Sequence, residues 1–568
     1  MPKKIEILAP AGSYKVLVAA VSAGADAVYF GGQFFNARHG ATNFNLDELV
    51  RGIEYCQKRR VKSHIVVNTL ISDKESEEFF KYIEYIYAMG ADAVIVQDLG
   101  VFSWLRQVVP KLPVHVSTQM SVNSLSGARM VKELGAKRVV LARELSINEI
   151  SNISHQAGIE TEVFVHGAMC VSYSGQCLIS SFIGGRSANR GRCAQPCRLK
   201  YHEATDVTAE KKTILSMKDL ILLNDVDALR KAGVASLKIE GRMKGEAYVS
   251  QVISAYRRAV DGEPVNLQDL EKLKKTFDRG GYSTGYLYGG EDMFINNHEH
   301  DPYKTEPVYI KQPELLEVEF PKKRAKKLIS TWKYSSESSG KEFEITAQVY
   351  DIAQIPPLIE AGINEIFVHH SLIDEKVNKY AENLICVVKF ADVSPDTDSL
   401  IKNGIKRVCV GNIGQIKEFQ DKGFEVFGEY TLNIFNSSSI KLFELLGLKR
   451  ITLAPELMLA QIRDMYKGIP TELIGYGRIP IMTTKNRLKG DIIDRTSTKF
   501  PVIGHEILNS KPIYMADKLL DIETSGVQSV RLVFTTESER EVRDILSAYR
   551  NGTPCEGEFT RGRYFKGV

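Results

Sequence analysis

The sequence lacks the features of an exported or membrane-bound protein. Its 568 residues contain no apolar run of about 18 residues, the length that a membrane-spanning helix needs. The first residues, MPKKIEILAPAG, enter a strand pattern at once and show no apolar signal-peptide region. We therefore expect a cytoplasmic protein with no membrane partner. In that reducing compartment, clustered cysteines bind metals or react more often than they form disulfides.

Motifs of hydrolytic enzymes are also absent. The chain has no HExxH, no GxSxG nucleophile elbow and no pair of histidines at zinc-ligand spacing, which counts against a peptidase. The net charge of +4 is too small to establish a polyanionic partner. Basic residues are nevertheless concentrated in KKRAKK (322–327), in an Arg-rich cysteine loop and in RGRYFK (561–566). Such runs are as compatible with a solvated surface as with nucleic-acid contacts.

Short β-branched runs alternate with amphipathic helical stretches through the first 262 residues. Eight runs are apolar enough to be strands buried on both faces, which predicts a closed parallel (β/α)₈ barrel. A doubly wound open sheet is the alternative. The eight runs lie at 5–10, 27–32, 64–69, 93–98, 114–119, 138–143, 162–167 and 236–241.

The same pattern recurs in the second half of the chain. KELGAKRVVLAREL (132–145) returns as ELLGLKRITLAPEL (444–457), which indicates tandem duplication of a whole barrel. We predict an α/β chain of tandem (β/α)₈ TIM-like barrels joined by a small connecting module. The predicted boundaries are 1–262 for the first barrel, 263–344 for the connecting module, 345–550 for a degenerate second barrel and 551–568 for a C-terminal tail. The second set of strands is predicted at 345–350, 365–370, 385–390, 407–412, 425–430, 450–455, 472–477 and 529–534.

The second copy has lost most of the reactive residues of the first. We therefore expect the chemistry to reside in the first barrel, with the second as a binding or packing partner. The replacements are Cys170 by Pro480, Cys177 by Arg487, His166 by Tyr476, Lys238 by Arg531 and Glu240 by Val533.

Four of the eight cysteines fall in one glycine-rich loop, residues 170–197, directly after the seventh strand. Four thiolates make a complete ligand set for one Zn²⁺ or for the four irons of a [4Fe–4S] cluster. The loop lacks the C-x2-C knuckle of most structural zinc sites, so an iron–sulfur cluster is favoured. Zinc, or reduced cysteines with one of them a nucleophile, are the alternatives. The cysteines are Cys170, Cys177, Cys193 and Cys197.

Active sites of TIM barrels lie at the carboxyl ends of the strands. Many polar residues of the first copy fall at these positions, and each of them could instead make a structural hydrogen bond. The site candidates among them are His166, Glu240, Glu144, Arg143, Lys238, Arg242, Asn68 and Gln119.

Several blocks of the first half closely resemble the motifs of the peptidase U32, or collagenase-like, family. The repeat from 345 onward resembles a degenerate second copy of the same barrel. The blocks are LAPAGS (8–13), AGADAVYFGG (23–32), VSTQMSVNS (116–124), EVFVHGAMCVSYSGQCLIS (162–180), RGRCAQPCRLKY (190–201), SLKIEGRMKG (236–245) and FDRGGYSTGYL (277–287).

The resemblance implies an oxygen-independent hydroxylase that carries a [4Fe–4S] cluster and takes its oxygen from prephenate. The substrate implied is a pyrimidine in RNA, with 23S rRNA cytidine favoured over the tRNA wobble uridine. The four cysteines would then be the cluster ligands. Arg143, Lys238 and Arg242 suit a dicarboxylate, with Asn68 and Gln119 as further substrate contacts. His166, Glu240 and Glu144 are the candidates for moving protons.

Three other hypotheses remain open: a collagenase-like protease, a hydroxylase of a small aromatic or quinone precursor, and a scaffold with structural zinc. RNA is the expected partner. The chain is expected to be a monomer or a small homo-oligomer, because the tandem barrel would supply internally the contact that, by the resemblance, some relatives obtain by pairing two chains.

Overall fold

The computed structural model describes residues 5–204, 212–265, 267–276, 280–290, 293–295, 334 and 343–568. The KKRAKK run and most of the predicted connecting module lie outside these residues. In the N-terminal half the strands are β1 (Glu6–Pro10), β2 (Ala27–Phe30), β3 (Lys62–Val67), β4 (Ala93–Val96), β5 (Val114–Val116), β6 (Arg138–Val140), β7 (Glu160–Gly167), β8 (His202–Glu203), β9 (Asp219–Ile221), β10 (Ser236–Ile239) and β11 (Tyr282–Ser283). The helices of this half are α1 (Tyr14–Ser22), α2 (Leu46–Gln57), α3 (Ser76–Ala88), α4 (Leu99–Val108), α5 (Leu125–Glu133), α6 (Ile147–Gln156), α7 (Ile179–Gly184), α8 (Val226–Lys231), α9 (Glu246–Val260) and α10 (Leu267–Thr276).

The first half closes into an eight-stranded parallel barrel made of β1 to β7 and β10. Each strand pairs with the next, and β10 pairs in parallel with both β1 and β7, which completes the circle. All eight predicted strands are confirmed, and the open-sheet alternative is wrong. The short strand β9 runs antiparallel to β7, beyond the barrel.

The second half forms another closed parallel barrel, made of β12 to β18 and β25, again from the predicted strands. Its strands are β12 (Glu344–Val349), β13 (Ile366–His369), β14 (Leu384–Val388), β15 (Arg407–Val410), β16 (Glu425–Gly428), β17 (Ile451–Thr452), β18 (Thr471–Gly477), β19 (Pro480–Thr483), β20 (Ile492–Ile493), β21 (Lys499–Phe500), β22 (Val502–Ile503), β23 (Glu506–Leu508), β24 (Ile513–Tyr514) and β25 (Ser529–Phe534). Its helices are α11 (Ile355–Glu360), α12 (Thr397–Lys402), α13 (Ile413–Gln420), α14 (Ser437–Leu445), α15 (Leu459–Asp464), α16 (Leu519–Thr524) and α17 (Glu539–Asn551).

Local sequence signals explain where the helices begin. Ser146 caps α6 and Glu149 reaches back to the backbone of Ser146, and Ser538 with Glu541 does the same for α17. The strands are β-branched and almost wholly buried because helices cover their outer faces. Among the described helices, none combines the length and the hydrophobicity that crossing a bilayer requires.

Each barrel carries a buried ion network between its strands. In the first barrel, Glu162 accepts from Arg138 at 3.2 Å and from Lys238 at 2.8 Å. In the second, Glu472 pairs with Arg531, and Arg450 lies 3.7 Å away. These charges are compensated inside the barrels, where an unpaired charge would be costly.

Two segments outside the predicted barrel boundaries contact the barrels. Leu287, from the predicted connecting module, accepts a backbone hydrogen bond from Ile147 at 3.0 Å. Tyr564, from the predicted tail, is buried and donates to the carbonyl of Ile474 at 2.7 Å. The tail sequence FTRGRYFKG (559–567) resembles FDRGGYSTG (277–285) of the connecting module. Both follow the last helices of their halves, and described parts of both segments contact the barrels.

The two barrels contact each other through helices that follow their fourth and fifth strands. Helix α4 packs on α14, and α5 packs on α13. Asn436, the N-cap of α14, donates to Asp98, the N-cap of α4, at 2.7 Å. Because helix N-termini lie at the carboxyl ends of the strands, the barrels meet through the same edges that carry active sites in TIM barrels.

We expect Gly414→Ala to destabilise this interface by about 1–3 kcal/mol, the usual cost of overpacking. A Cβ atom at Gly414 would lie 2.3 Å from the backbone nitrogen of Gly127, which cannot move aside as a flexible side chain can. Gly557→Ala is the matched control, because nothing lies within 4 Å of its Cβ position. Thermal unfolding of both variants tests the prediction, and equal unfolding temperatures would contradict it.

Candidate functional site

The cysteine loop, residues 170–197, is held between the two barrels. Ser172 forms an antiparallel bridge with Thr484, and the Leu178 N–H donates to the Ile481 carbonyl at 2.7 Å. Ile481 belongs to β19, which follows the seventh barrel strand of the second copy. The segments that follow strand seven in the two copies therefore pair with each other across the interface.

Polar side chains fix the rest of the loop. Arg190 donates to both carboxylate oxygens of Glu75, each at 2.6 Å, and to the Leu70 carbonyl at 2.8 Å. Asn189 is buried and donates to the Gly175 carbonyl at 3.1 Å. A bidentate arginine–carboxylate pair fixes the orientation of the two groups as well as their distance. The loop is therefore held in a defined conformation.

The four thiols of the loop are unpaired cysteines that influence one another's ionisation. Burial raises the pKa of Cys170, Cys177 and Cys197, to about 12 for Cys197. Negative charge on neighbouring thiols, including Cys193, raises these pKa values further. Such a set does not ionise together without a cation, whereas a bound metal centre deprotonates its thiol ligands.

The spacing of the loop thiols limits the metal sites that they could form. Tetrahedral Zn²⁺ with bonds of about 2.3 Å holds its sulfurs roughly 3.8 Å apart. In the described part of the chain, no three cysteine sulfurs lie within 4.8 Å of one another. Ligand sulfurs of an iron–sulfur cluster bind different irons and are further apart. The described thiols are therefore not arranged as the ligand set of one tetrahedral zinc ion.

Charged side chains gather around Glu240 at the carboxyl end of β10. Arg38 donates from Nε and Nη2 to Glu240 Oε1, at 3.3 and 3.0 Å. Burial acts to raise the pKa of Glu240, but the positive charges of Arg38, Arg143 and Arg242 outweigh it and lower that pKa. Glu240 is therefore a carboxylate at neutral pH.

Arg143 and Arg242 keep unused donors in this region. Arg143 donates to the Ala168 carbonyl at 2.9 Å, and the buried Arg242 donates to Asn43 Oδ1. Within the described residues, the Nε atoms of both arginines find no hydrogen-bond partner. Burial lowers the pKa of Arg242 to about 10, so it is cationic at neutral pH. Cations with free N–H groups are suited to an anionic ligand.

Glu144 is a buried acid beside the loop. Burial raises its pKa to about 7, and the positive charges of Arg143 and Lys485 oppose this only partly. Its Oε2 has no partner among the described residues, and its charge acts on the thiol of Cys170. A carboxyl group that titrates near neutral pH can both donate and accept a proton.

Asn68 and Gln119 belong to a chain of side-chain amides. Asn68 donates to Gln119 at 2.9 Å, Gln119 to Gln97 at 3.0 Å, and Gln97 to Asn189 at 3.0 Å. The chain thus connects the carboxyl ends of three strands to the cysteine loop. Gln97 and Gln119 also line a narrow cleft between the barrels.

Lys238 points into the barrel interior. Its Nζ lies 2.8 Å from Glu162 Oε1 and 4.6 Å from the ring centroid of Tyr29, and all three residues are buried. Arg531 pairs with Glu472 in the same way in the second barrel, which has no counterpart of the four-cysteine loop. The structure therefore places Lys238 in an ion network that both copies share.

His166 faces the helix layer instead of the barrel mouth. Phe164 pairs with Lys238, but the register then shifts and His166 pairs with Ile239. Because neighbouring strand residues point to opposite faces and Lys238 points inward, Ile239 and His166 point outward. The imidazole contacts the rings of Tyr248, Tyr256 and Tyr282.

We expect His166→Phe to keep the fold, and we expect its stability to decrease less than that of the wild type as the pH falls. Burial lowers the pKa of His166 to about 3, against about 6.5 in an unfolded chain. Between these values the unfolded chain binds the extra proton, so His166 makes stability fall as pH decreases from about 6.5. Unfolding temperatures from pH 7 to 4 test this. The exposed His155 provides the control His155→Phe, and an unchanged slope in His166→Phe would contradict the prediction.

Arg38 is not among the site residues that the sequence pattern predicted. It lies eight residues beyond the end of β2, in the loop segment FNARHG, and reaches Glu240 only because this loop folds back over the barrel mouth. The cluster of Asn, Gly and Arg after a barrel strand is the sequence feature that could have indicated Arg38 as a site residue.

Comparison with known proteins places the whole architecture in one family. The model of peptidase family U32 matches residues 12–295 and 361–553, which covers both barrels. The 23S rRNA 5-hydroxycytidine C2501 synthase of Escherichia coli is 38% identical over 314 residues, 52% of this chain and 46% of that protein. The chain thus matches less than half the length of that relative.

Two further relatives carry different names. The tRNA hydroxylation protein P1 of Bacillus subtilis is 37% identical over 293 residues, 49% of this chain and 69% of that protein. A collagenase of Porphyromonas gingivalis is 34% identical over 307 residues, 50% of this chain and 73% of that protein. With the family model matched on both barrels, the resemblance seen in the sequence is confirmed: the chain belongs to peptidase family U32.

Proposed function

We propose that this protein is an oxygen-independent hydroxylase of a pyrimidine base in RNA, and that it uses a [4Fe–4S] cluster. The observation that carries the proposal is the loop of four thiols beside Arg143 and Glu144. Relatives named for rRNA and tRNA hydroxylation support it. Cys170, Cys177, Cys193 and Cys197 would hold the cluster, which supplies redox chemistry when bound.

The arginines would bind the source of the hydroxyl oxygen. Arg143 and Arg242 have free N–H groups, and Arg38 adds a third cation to the same rim. A dicarboxylate such as prephenate matches this charge, and guanidinium groups can bind carboxylates through two hydrogen bonds. Lys238, which is paired with Glu162, would contribute only through the field of its charge.

Glu144 and Glu240 would have separate roles. Glu144, with a pKa of about 7, would take the proton from the pyrimidine carbon that gains the hydroxyl group. Glu240 stays ionised and would hold Arg38 in place. His166 faces the tyrosines of the helix layer and would support the fold instead of the reaction.

RNA would reach the site as an unstacked base. A pyrimidine inside a helix is inaccessible to a barrel mouth, so the base would be displaced and the backbone held by basic side chains. We favour 23S rRNA cytidine over tRNA uridine, a cytoplasmic location, and a monomer or a small homo-oligomer.

Mass spectrometry of rRNA and tRNA from a deletion strain tests the proposal. We expect one hydroxylated pyrimidine to disappear and to return on complementation. If every hydroxylated pyrimidine persists, the RNA assignment is wrong. A quinone-precursor defect in that strain would then favour the small-molecule hydroxylase. Collagen digestion by the purified protein that is lost in Cys170→Ala would favour the protease.

A further inference from the structure

A second cluster of potential ligands lies in the second barrel, far from the cysteines in sequence. His369 ends β13, His370 follows it, and Asp392 lies just beyond β14. His369 Nε2 is 2.9 Å and His370 Nε2 is 3.3 Å from the same oxygen, Asp392 Oδ2. One ligand atom from each residue lies within 4.8 Å of the other two.

These distances match the edges of a metal coordination polyhedron. Nitrogen and oxygen ligands bind transition metals at about 2.1 Å, so adjacent ligand atoms lie about 3.0 Å apart at a right angle and about 3.4 Å apart at a tetrahedral angle. Asp392 Oδ2 is 2.9 and 3.3 Å from the two imidazoles. The three side chains would therefore need little movement to share one ion.

Neighbouring groups orient two of the three ligands. His369 Nδ1 accepts from the backbone N–H of Ser371 at 3.3 Å and lies 2.7 Å from Ser371 Oγ, so Ser371 orients this imidazole with its Nε2 toward Asp392. The backbone N–H of Lys389 donates to Asp392 Oδ2 at 2.8 Å and fixes the carboxylate. Each ligand side chain is about one quarter exposed, so an ion bound here would keep positions open to solvent or to a further ligand.

The cluster is not inherited from the first barrel. Strand alignment of the two copies places Gly31 and Gly32 where the second has His369 and His370. The first copy cannot accommodate side chains there, because a Cβ at Gly31 would lie 2.5 Å from Val66 and one at Gly32 would lie 2.6 Å from the Tyr82 hydroxyl. The second barrel has thus gained potential ligands that its duplicate lacks.

We propose that His369, His370 and Asp392 form a binding site for one divalent transition-metal ion, such as Zn²⁺, at the carboxyl-end rim of the second barrel. Two imidazoles and one carboxylate are a common ligand set for such ions. Lys389 and Phe390, which shortly precede Asp392 in the chain, line a narrow cleft of the second barrel. These histidines are adjacent at a strand end and not one turn apart on a helix, so helical zinc-ligand spacing does not reveal them.

Cobalt titration of the full-length protein under anaerobic conditions tests the proposal. Co²⁺ bound by imidazole and carboxylate gives visible bands without the intense near-ultraviolet charge-transfer absorption of thiolate ligation, so the cysteine loop is distinguished from this site. We expect one equivalent of thiolate-free Co²⁺ per wild-type chain. His369→Ala and Asp392→Asn should each weaken this binding at least about 100-fold, because each removes a direct ligand.

His505→Ala is the matched control, an exposed histidine of the same barrel outside the cluster, and should bind Co²⁺ like the wild type. Added Zn²⁺ should raise the unfolding temperature of the wild type and of the control but not that of Asp392→Asn. This pattern would show that Asp392→Asn has lost the metal site and not its fold. Cobalt bound only through thiolates, or equal thiolate-free binding by Asp392→Asn and the wild type, would overturn the proposal. Neither result bears on the hydroxylase, whose test is the RNA.

Discussion

Cys177→Ser is expected to abolish the proposed iron–sulfur cluster and to reduce the proposed RNA hydroxylation at least about 100-fold. Burial raises the pKa of Cys177 well above its usual range, and the charges of the other three thiols raise it further. A serine hydroxyl at this position would be even harder to ionise and is a poor ligand for iron. The measurements are iron and sulfide content of anaerobically purified protein, expected near about four irons per wild-type chain, and hydroxylated RNA in the complemented deletion strain.

Cys555→Ser provides the control for cysteine substitution. Cys555 is partly exposed and lies outside the loop, so this variant should keep its iron and its activity. A Cys177→Ser protein that retained both would contradict the cluster proposal and return the loop to the alternative of unliganded thiols. Zinc without iron in both proteins would favour a structural metal site instead.

Glu162→Gln is expected to destabilise the protein by about 3–5 kcal/mol. The Glu162 carboxylate is fully buried and accepts from Lys238 at 2.8 Å and from Arg138 at 3.2 Å. Neutralising it leaves two buried cations with less negative charge between them. Arg138 keeps its ion pairs with Glu6 and Glu160. Lys238 loses its carboxylate partner, so most of the destabilisation comes from this buried cation. Denaturant unfolding of the two proteins measures the difference.

Two further variants test the cause of that loss. Glu77→Gln removes one partner of an exposed pair with Lys81 and should leave the unfolding midpoint almost unchanged, because solvent screens such pairs. Adding Lys238→Met to Glu162→Gln should recover part of the lost stability, since the uncompensated cation is removed. A midpoint in Glu162→Gln equal to that of the wild type would show that the network does not stabilise the barrel.

Much of the fold follows from the sequence. The β-branched runs are long and apolar enough to be strands covered on both sides, and their number and their repetition led to two closed barrels. The position of Cys170, three residues after the end of β7, placed the loop at the carboxyl-end rim. Helix starts such as Ser146–Glu149 are equally local, because capping depends on residues close together in the chain.

Side-chain direction and pairing depended on the tertiary structure. A register shift between β7 and β10 turned His166 outward, and strand composition contains no sign of it. Lys238 paired with Glu162, and Arg38 reached Glu240, across 76 and 202 residues of sequence. His369, His370 and Asp392 met because adjacent parallel strands end at the same rim.

The sequence by itself determined the elements, their order and the duplication, because burial and helical or strand periodicity are properties of neighbouring residues. Only the folded chain decided which charges are paired, which donors stay free and which ligands share a centre. Those are matters of distance between residues that barrel closure and the contact between the two barrels bring together.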